Sequence, residues 1–212
     1  MLSEKKVNIN VLKLGDLGVN CYVVDFNGET MVIDPGADPV TVISRIQITR
    51  GKLKYLFLTH GHYDHIGAVD WVLDKFEDTL FYMGKPDMVM LGDATKNFSH
   101  YMGEPFVIKS KPQALTSDTE LDLGGMKVFA RPCPGHSEGS VSIYIDNHIF
   151  TGDLLFKNSV GRTDFPGGDM DTLLKSIKHN VMTFPDEFIV HPGHGESTSV
   201  GRERKENPFL VF

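Results

Sequence analysis

The sequence predicts a mixed α and β fold (α+β), in which two packed β-sheets are covered by helices on their outer faces. Short strand patterns grouped around hairpin turns carry that expectation, together with helical repeats interleaved between them. The 212 residues, 41% hydrophobic, can bury one sizeable core, and no linker or internal repeat divides them.

Strands are expected at 7–13, 19–25, 30–34 and 54–58, with turn signals at Gly15 to Gly18 and at Asn27-Gly28, a hairpin pair. Asp38-Pro39 reads as an N-cap followed by Pro at the first helical position, opening a helix through Val40, Ile43 and Ile46. Val69, Val72, Leu73 and Phe76 recur at helical spacing, and Asp171 caps a helix carrying Leu173, Leu174, Ile177 and Val181. Further strands are expected at 126–130, 141–145, 147–151 and 187–191. Residues 83–115 are less regular and rich in Met, with Phe98, Tyr101 and Phe106; they suit either an adaptable substrate wall or lid or ordinary helix and loop packing.

Function is signalled by His60-Gly61-His62-Tyr63-Asp64-His65, which places three imidazoles and a carboxylate within six residues just after the apolar run Tyr55-Leu56-Phe57-Leu58. Such nitrogen and oxygen donors suit Zn²⁺, Fe²⁺ and Mn²⁺. A turn after a strand can splay alternate side chains, so His60 and His62 can face one ion while Asp64 and His65 face a second. Two open sites need more donors, and three strand-end contexts offer them: Pro134-Gly135-His136, Thr151-Gly152-Asp153 and Pro192-Gly193-His194. Ligands on loops carried by a rigid sheet fit catalysis, whereas a structural zinc site more often uses cysteine.

This H-x-H-x-D-H cluster, followed by Gly-His, Gly-Asp and Gly-His, resembles the metallo-β-lactamase-fold hydrolases. The stretches Gly152-Asp153-Leu154-Leu155-Phe156, Gly161-Arg162-Thr163-Asp164-Phe165 and Pro192-Gly193-His194-Gly195 through Gly201-Arg202-Glu203-Arg204 look like the small glyoxalase-II-like branch. The resemblance runs from Asn20-Cys21-Tyr22 and Val32-Ile33-Asp34-Pro35-Gly36 to Asn207-Pro208-Phe209. It implies one domain over 1–212 with a four-layer αβ/βα sandwich, a topology that composition alone does not specify. It also implies that His60, His62 and His136 bind one metal, that Asp64, His65 and His194 bind a second, and that Asp153 bridges both. The chain stops eighteen residues after His194, without the C-terminal helical domain through which glyoxalases II proper make much of their glutathione contact.

The implied chemistry is hydrolysis of a thioester such as an S-2-hydroxyacylglutathione by a hydroxide held between two divalent ions, zinc first, with iron and manganese as alternatives. Asp64 and Asp153 would orient the nucleophile, and Tyr63, Lys157 and Arg162 are candidate contacts to an anionic substrate. Persulfide dioxygenases of the same fold also resemble the chain in Gly161 to Phe165 and hold a single iron through counterparts of His60, His136 and Asp153. Hydrolysis of another ester or lactone is a further alternative; a non-catalytic metal protein would be expected to lack the bridge or to close the site.

His100, His148 and His179 read as ordinary surface or satisfied core residues, and His191 as either packing or a partner orienting a ligand. A formal charge of −7 disfavours a nucleic-acid surface, and Arg202, Arg204 and Lys205 read as a solvated terminal face. Two cysteines, Cys21 and Cys133, read as reduced thiols of a cytoplasmic protein, with Cys133 packing beside the site. Met1 to Lys6 lead into an alternating strand rather than a signal-peptide core, and no stretch reaches membrane-spanning length.

Overall fold

Side-chain alternation builds the first sheet. A computed structural model describes residues 6–210, and the lead-in Met1 to Lys5 lies outside them. Strands β1 (Asn8–Leu14), β2 (Val19–Phe26), β3 (Glu29–Ile33), β4 (Lys52–Phe57), β5 (Leu80–Gly84) and β6 (Gln113–Leu115) lie in that order. The first three pair antiparallel and the rest parallel. In β2, Cys21 and Val23 face outward into one apolar cluster while Tyr22 and Val24 face inward into another, as a period of two requires. Asn27 and Gly28, at φ of 50° and 85°, make the β2–β3 hairpin with the left-handed pair that such a turn demands.

The second sheet contains β7 (Thr119–Leu123), β8 (Met126–Pro132), β9 (Val141–Ile145) and β10 (His148–Gly152). A small ribbon of β11 (Leu155–Phe156) and β12 (Ser159–Val160) follows, and β13 (Ile189–Pro192) and β14 (Thr198–Ser199) return to the sheet, whose order is β14-β13-β10-β9-β8-β7. Tyr22, Ile33, Phe57 and Tyr82 of the first sheet meet Leu123, Val128, Ile143 and Phe150 of the second in a central core. Helices α1 (Pro39–Thr49), α2 (Tyr63–Ile66), α3 (Val69–Lys75) and α4 (Met88–Leu91) lie on the first sheet's side; α5 (Met170–Asn180) and α6 (Val200–Glu206) cover the second. The result is the expected αβ/βα sandwich.

Local details differ from the sequence expectation. Asp38 holds the N-cap position before Pro39 as expected, but it sits at φ 49° and its carboxylate accepts from the Gly15 amide rather than from the helix. Val40 is 77% exposed, and Val42 with Ile46 forms the buried stripe of α1. The cap of α5 is Asp169, which accepts from the Thr172 amide, so that helix begins before Asp171.

The topology then brings particular loops together. β3 and β4 run parallel, β10 runs parallel to β13, and β8 is parallel to β10 through the antiparallel β9. Asp34, His60 to His65, His136, Asp153 and His194 all follow the carboxyl ends of these strands, on one edge of the sandwich.

Candidate metal centre

Asp34, buried at the end of β3, organises the first loop. Its Oδ1 accepts from the Thr59 amide at 2.7 Å, and its Oδ2 accepts from the Thr59 hydroxyl at 2.6 Å and from His65 Nδ1 at 2.9 Å. The Thr59 proton is thereby committed, so His60 Nδ1 donates to Thr59 Oγ1 at 3.1 Å. His136 Nδ1 donates to the Arg162 carbonyl at 2.8 Å, which leaves its Nε2 to accept from His62 Nδ1 at 3.0 Å. These assignments follow from the hydrogen-bond network. In each ring Nδ1 carries a proton, and in His60 and His62 Nε2 is left as a bare lone pair.

The bare nitrogens converge. Ligand atoms of His60, His62 and His136 lie within 4.8 Å of one another, as do those of His60, His65 and Asp153, and those of Asp64, His65 and His194. Asp153 joins the groups, with Oδ1 3.5 Å from His65 Nε2 and Oδ2 3.7 Å from His136 Nε2 and 3.8 Å from His194 Nε2. His194 Nε2 is 3.1 Å from Asp64 Oδ2, and its Nδ1 donates to the Leu17 carbonyl. Gly193 leaves room for this packing: a Cβ there would come within 2.2 Å of Asp153 Oδ1 and 2.7 Å of His65 Cε1.

His60 Nε2, His62 Nε2, His65 Nε2 and Asp153 Oδ1 are all buried without a hydrogen-bond partner. An orphaned buried acceptor costs about 1–3 kcal/mol, so His60 Nε2, His62 Nε2 and Asp153 Oδ1 form a set that a cation satisfies. Charge agrees with this. Burial and the neighbouring rings hold His60 well below its ordinary value, and burial followed by His136 takes His62 down to about 3, so both are neutral ligand-type imidazoles. Burial alone would lower His65 too, yet the carboxylates of Asp64, Asp34 and Asp153 carry it up to about 10, the response of a site that calls for positive charge. His65 and His194 in turn hold Asp64 well below the usual carboxylate range against the effect of burial. The donor set fits divalent metal.

The structure thus gathers His60, His62, Asp64, His65, His136, Asp153 and His194. The three candidates for anionic substrate contacts are placed differently. Lys157 Nζ is bound to Glu196 at 2.5 Å, and Arg162 makes a two-bond fork with Asp164 at 2.9 and 2.7 Å while stacking on Phe165. Their charges are already matched. Tyr63 lines a groove of about 520 Å³ beside Asp64, with Asp16, Asp38 and Glu104. His191 is packing: it stacks on Phe150 at 4.8 Å and bridges His148 and Ser197, both at 3.0 Å. Cys133 is buried in the core beneath α5, and burial pushes its thiol up, so it is inert.

Two residues escaped the sequence reading of the site. Asp34 carried a visible signal, a carboxylate in a strand-end Asp-Pro-Gly. Asp87 carried none; fully buried, it accepts from the Gly61 amide at 3.1 Å, the Ser137 hydroxyl at 2.6 Å and the Gly139 amide at 2.7 Å, joining the loops of His60–His62 and His136. Phe98 is notable as well. Its φ of +72° costs about 1–3 kcal/mol for a bulky residue, and its ring lies 5.0 Å from that of His62.

A family model described as the metallo-beta-lactamase superfamily matches residues 14–194, which include every residue of the cluster. The chain belongs to the metallo-beta-lactamase superfamily. Its relatives include the probable metallo-hydrolase YqgX of Bacillus subtilis, 34% identical across 94% of this chain and 95% of that one. The hydroxyacylglutathione hydrolase GloC of Haemophilus influenzae is 32% identical across 96% and 98%. Among solved structures, the BLEG-1 B3 metallo-beta-lactamase aligns with a TM-score of 0.91 and 35% identity over 97% of this chain and all of the other. TTHA1623 in a di-iron-bound form gives a TM-score of 0.83 and 33% identity over 95% of this chain and all of the other. This member of the metallo-beta-lactamase superfamily carries a His/Asp cluster suited to metal, and no helix among its described residues is long and apolar enough to cross a membrane.

Proposed function

We propose that the chain hydrolyses a thioester, with S-2-hydroxyacylglutathiones as the reference substrates. The observation that carries the reading is the similarity to GloC, a hydroxyacylglutathione hydrolase that the match covers over 98% of its length, so the matched region is essentially that whole enzyme. The cluster supports the same chemistry. His60, His62 and His136 would hold one ion and Asp64, His65 and His194 a second, with Asp153 between. When bound, the ions supply a water acidified to near-neutral pH and Lewis-acid polarisation of the thioester carbonyl, and a thiolate departs with little acid assistance.

The remaining work falls to protein groups. Asp34 and the Arg162 carbonyl hold the Nδ1 protons of His65 and His136, which fixes those rings with Nε2 toward the reacting centre. Asp64 and Asp153 are the carboxylates at the mouth, with side chains 13% and 14% exposed, and they orient the attacking water by accepting its hydrogen bonds at Oδ. A mononuclear iron site on His60, His136 and Asp153 would leave His62, Asp64, His65 and His194 outside the metal, although all four share the cluster, and the two-ion reading uses every donor.

Thiol release from S-lactoylglutathione, followed anaerobically with metal-replete protein, tests the reading. Release that Asp153→Ala abolishes is the expected result. No release, or release unchanged in Asp153→Ala, overturns it.

A further inference from the structure

A groove of about 410 Å³ lies on the His62 side of the cluster; Val89, Met90, Phe98 and Tyr101 with two prolines make its lining mainly apolar, and Asp87, Thr95, Lys96 and Glu138 also border it. The same Phe98 ring packs 4.8 Å from Phe165, and Phe165 lies 5.4 Å from His62 and 6.3 Å from His136. Groove and cluster are therefore contiguous through two aromatic rings. Phe98 is held rigidly in its left-handed conformation, because the adjacent Asn97 is buried, donates to the Phe106 carbonyl at 3.0 Å and accepts from the Tyr63 amide at 2.9 Å through its own carbonyl. A strained bulky residue locked beside a reacting centre marks a position shaped for a ligand. Tyr101 and Val89 are 66% and 57% exposed, so the groove presents apolar surface to solvent.

The opposite flank of the cluster has another character. The groove beside Tyr63 and Asp64 is lined by Asp16, Asp38 and Glu104 and contains no basic side chain. Glutathione carries a net negative charge that these carboxylates repel, whereas an apolar acyl group, attached directly to the reacting carbonyl, suits the rings of Phe98 and Phe165 where they adjoin His62.

We propose that the groove of Met90, Phe98 and Tyr101, with Phe165 packed beside it, is an acyl pocket, and that the preferred substrates carry an aromatic or branched apolar acyl group rather than a small polar one. This rests on the thioester-hydrolase reading above. Phe98 and Phe165 set the specificity by offering ring faces to the acyl side chain. Removing one phenyl group from water favours its binding by roughly tenfold to a hundredfold, and a hydrophobic pocket of this kind discriminates over a similar range.

S-mandeloylglutathione and S-lactoylglutathione share the 2-hydroxyacyl core and differ by phenyl against methyl, so their ratio of kcat/KM reads the pocket alone. A ratio of about ten or more is expected in the native protein, falling toward one in Phe98→Ala and Phe165→Ala and partly kept in Phe98→Leu. Trp71→Ala, at an exposed position of α3, should keep the native ratio. A native ratio near one, or one that neither alanine variant lowers, overturns the acyl pocket. Calorimetric binding of the non-hydrolysable S-(2-phenylethyl)glutathione against S-methylglutathione separates the two readings. Should neither thioester turn over, tighter binding of the phenyl compound that Phe98→Ala weakens supports the pocket and sinks only the hydrolase reading; equal binding sinks the pocket as well.

Discussion

Replacing Asp87 removes a strut between the two loops that carry His60, His62 and His136. In Asp87→Ala the Gly61 and Gly139 amides, both buried, lose their acceptor, while the Ser137 hydroxyl retains Ser140 Oγ at 2.7 Å. Two orphaned donors cost about 2–6 kcal/mol. Part of this is returned, because burial already pushes the Asp87 carboxyl above the usual range despite its three donors, and deleting it relieves that desolvation. A net loss of about 2–4 kcal/mol is expected for Asp87→Ala, and a smaller one for Asp87→Asn, which keeps one acceptor in place. Urea unfolding of metal-free protein measures it. A competition titration with a chromophoric chelator should show metal affinity falling about 10–100-fold in parallel, the usual effect of loosening groups that support metal-ligating side chains. Asp87→Ala unfolding within about 0.5 kcal/mol of the native protein, with metal affinity unchanged, would refute the strut.

Two further outcomes follow from the same geometry. Adding Zn²⁺ or Fe²⁺ to metal-free protein should raise Tm by about 5–10 °C, since saturation at a hundred times Kd is worth about 2.7 kcal/mol and a chain of this size shifts about 2–4 °C per kcal/mol; an unmoved Tm with both ions would contradict the reading of the orphaned acceptors. Burial, with His148 beside it, holds His191 down to about 3, so below its unfolded pKa of about 6.5 the unfolded chain binds a proton that the native state refuses. That contribution is present above pH 6.5 and is lost as pH falls toward 3, amounting to about 2 kcal/mol between pH 7 and 5; the loss should be shallower by that amount in His191→Phe, and parallel curves for the two proteins would count against it.

The cluster was legible because four of its donors are compressed into His60 to His65 and the others follow Gly at strand ends, where short-range pattern carries the information. The supporting carboxylate Asp87 was not, since it comes 26 residues after Gly61 and 50 before Ser137 and only the fold unites them. The leading strands of the first sheet were visible in the alternation of Asn8 to Ile33 and the cover helices in Val69 to Phe76 and Leu173 to Val181, whereas the two-sheet topology came from the family resemblance. Other elements were hidden. Leu80–Gly84 is short and sits by the Met-rich region, whereas α6 is polar in sequence and is anchored by an improbable residue, the fully buried Glu203, which accepts from Thr198, Asn158 and Asn207. Asp171 misled as a cap because it lies near the right helix end, but the acceptor geometry belongs to Asp169; Asp38 holds the N-cap position expected of it, with Pro39 following, although its side chain bonds elsewhere.

The placement of the cluster also explains why its chemistry and the fold's cohesion are coupled. Along this edge the two sheets are joined by few backbone bonds: the Val141 amide donates to the Thr59 carbonyl at 2.8 Å, and the Asn20 amide to the Gly193 carbonyl at 2.7 Å. His60, His62, Asp64 and His65 come from the first sheet; His136, Asp153 and His194 come from the second. An ion shared by His60, His62 and His136, or by Asp64, His65 and His194, therefore crosses the seam in either case. The bare Nε2 atoms that cost stability when unmet become cross-links when met, so the same residues that would activate a water also decide how tightly the two halves of the sandwich are held. Substitution of a ligand on one sheet should then loosen the loops of the other, and amide exchange at Gly135 to Ser140 should rise in His60→Ala although that residue lies on the opposite sheet. Exchange confined to the Thr59–Gly67 loop would show that the two sheets hold their edges independently and that the coupling is absent.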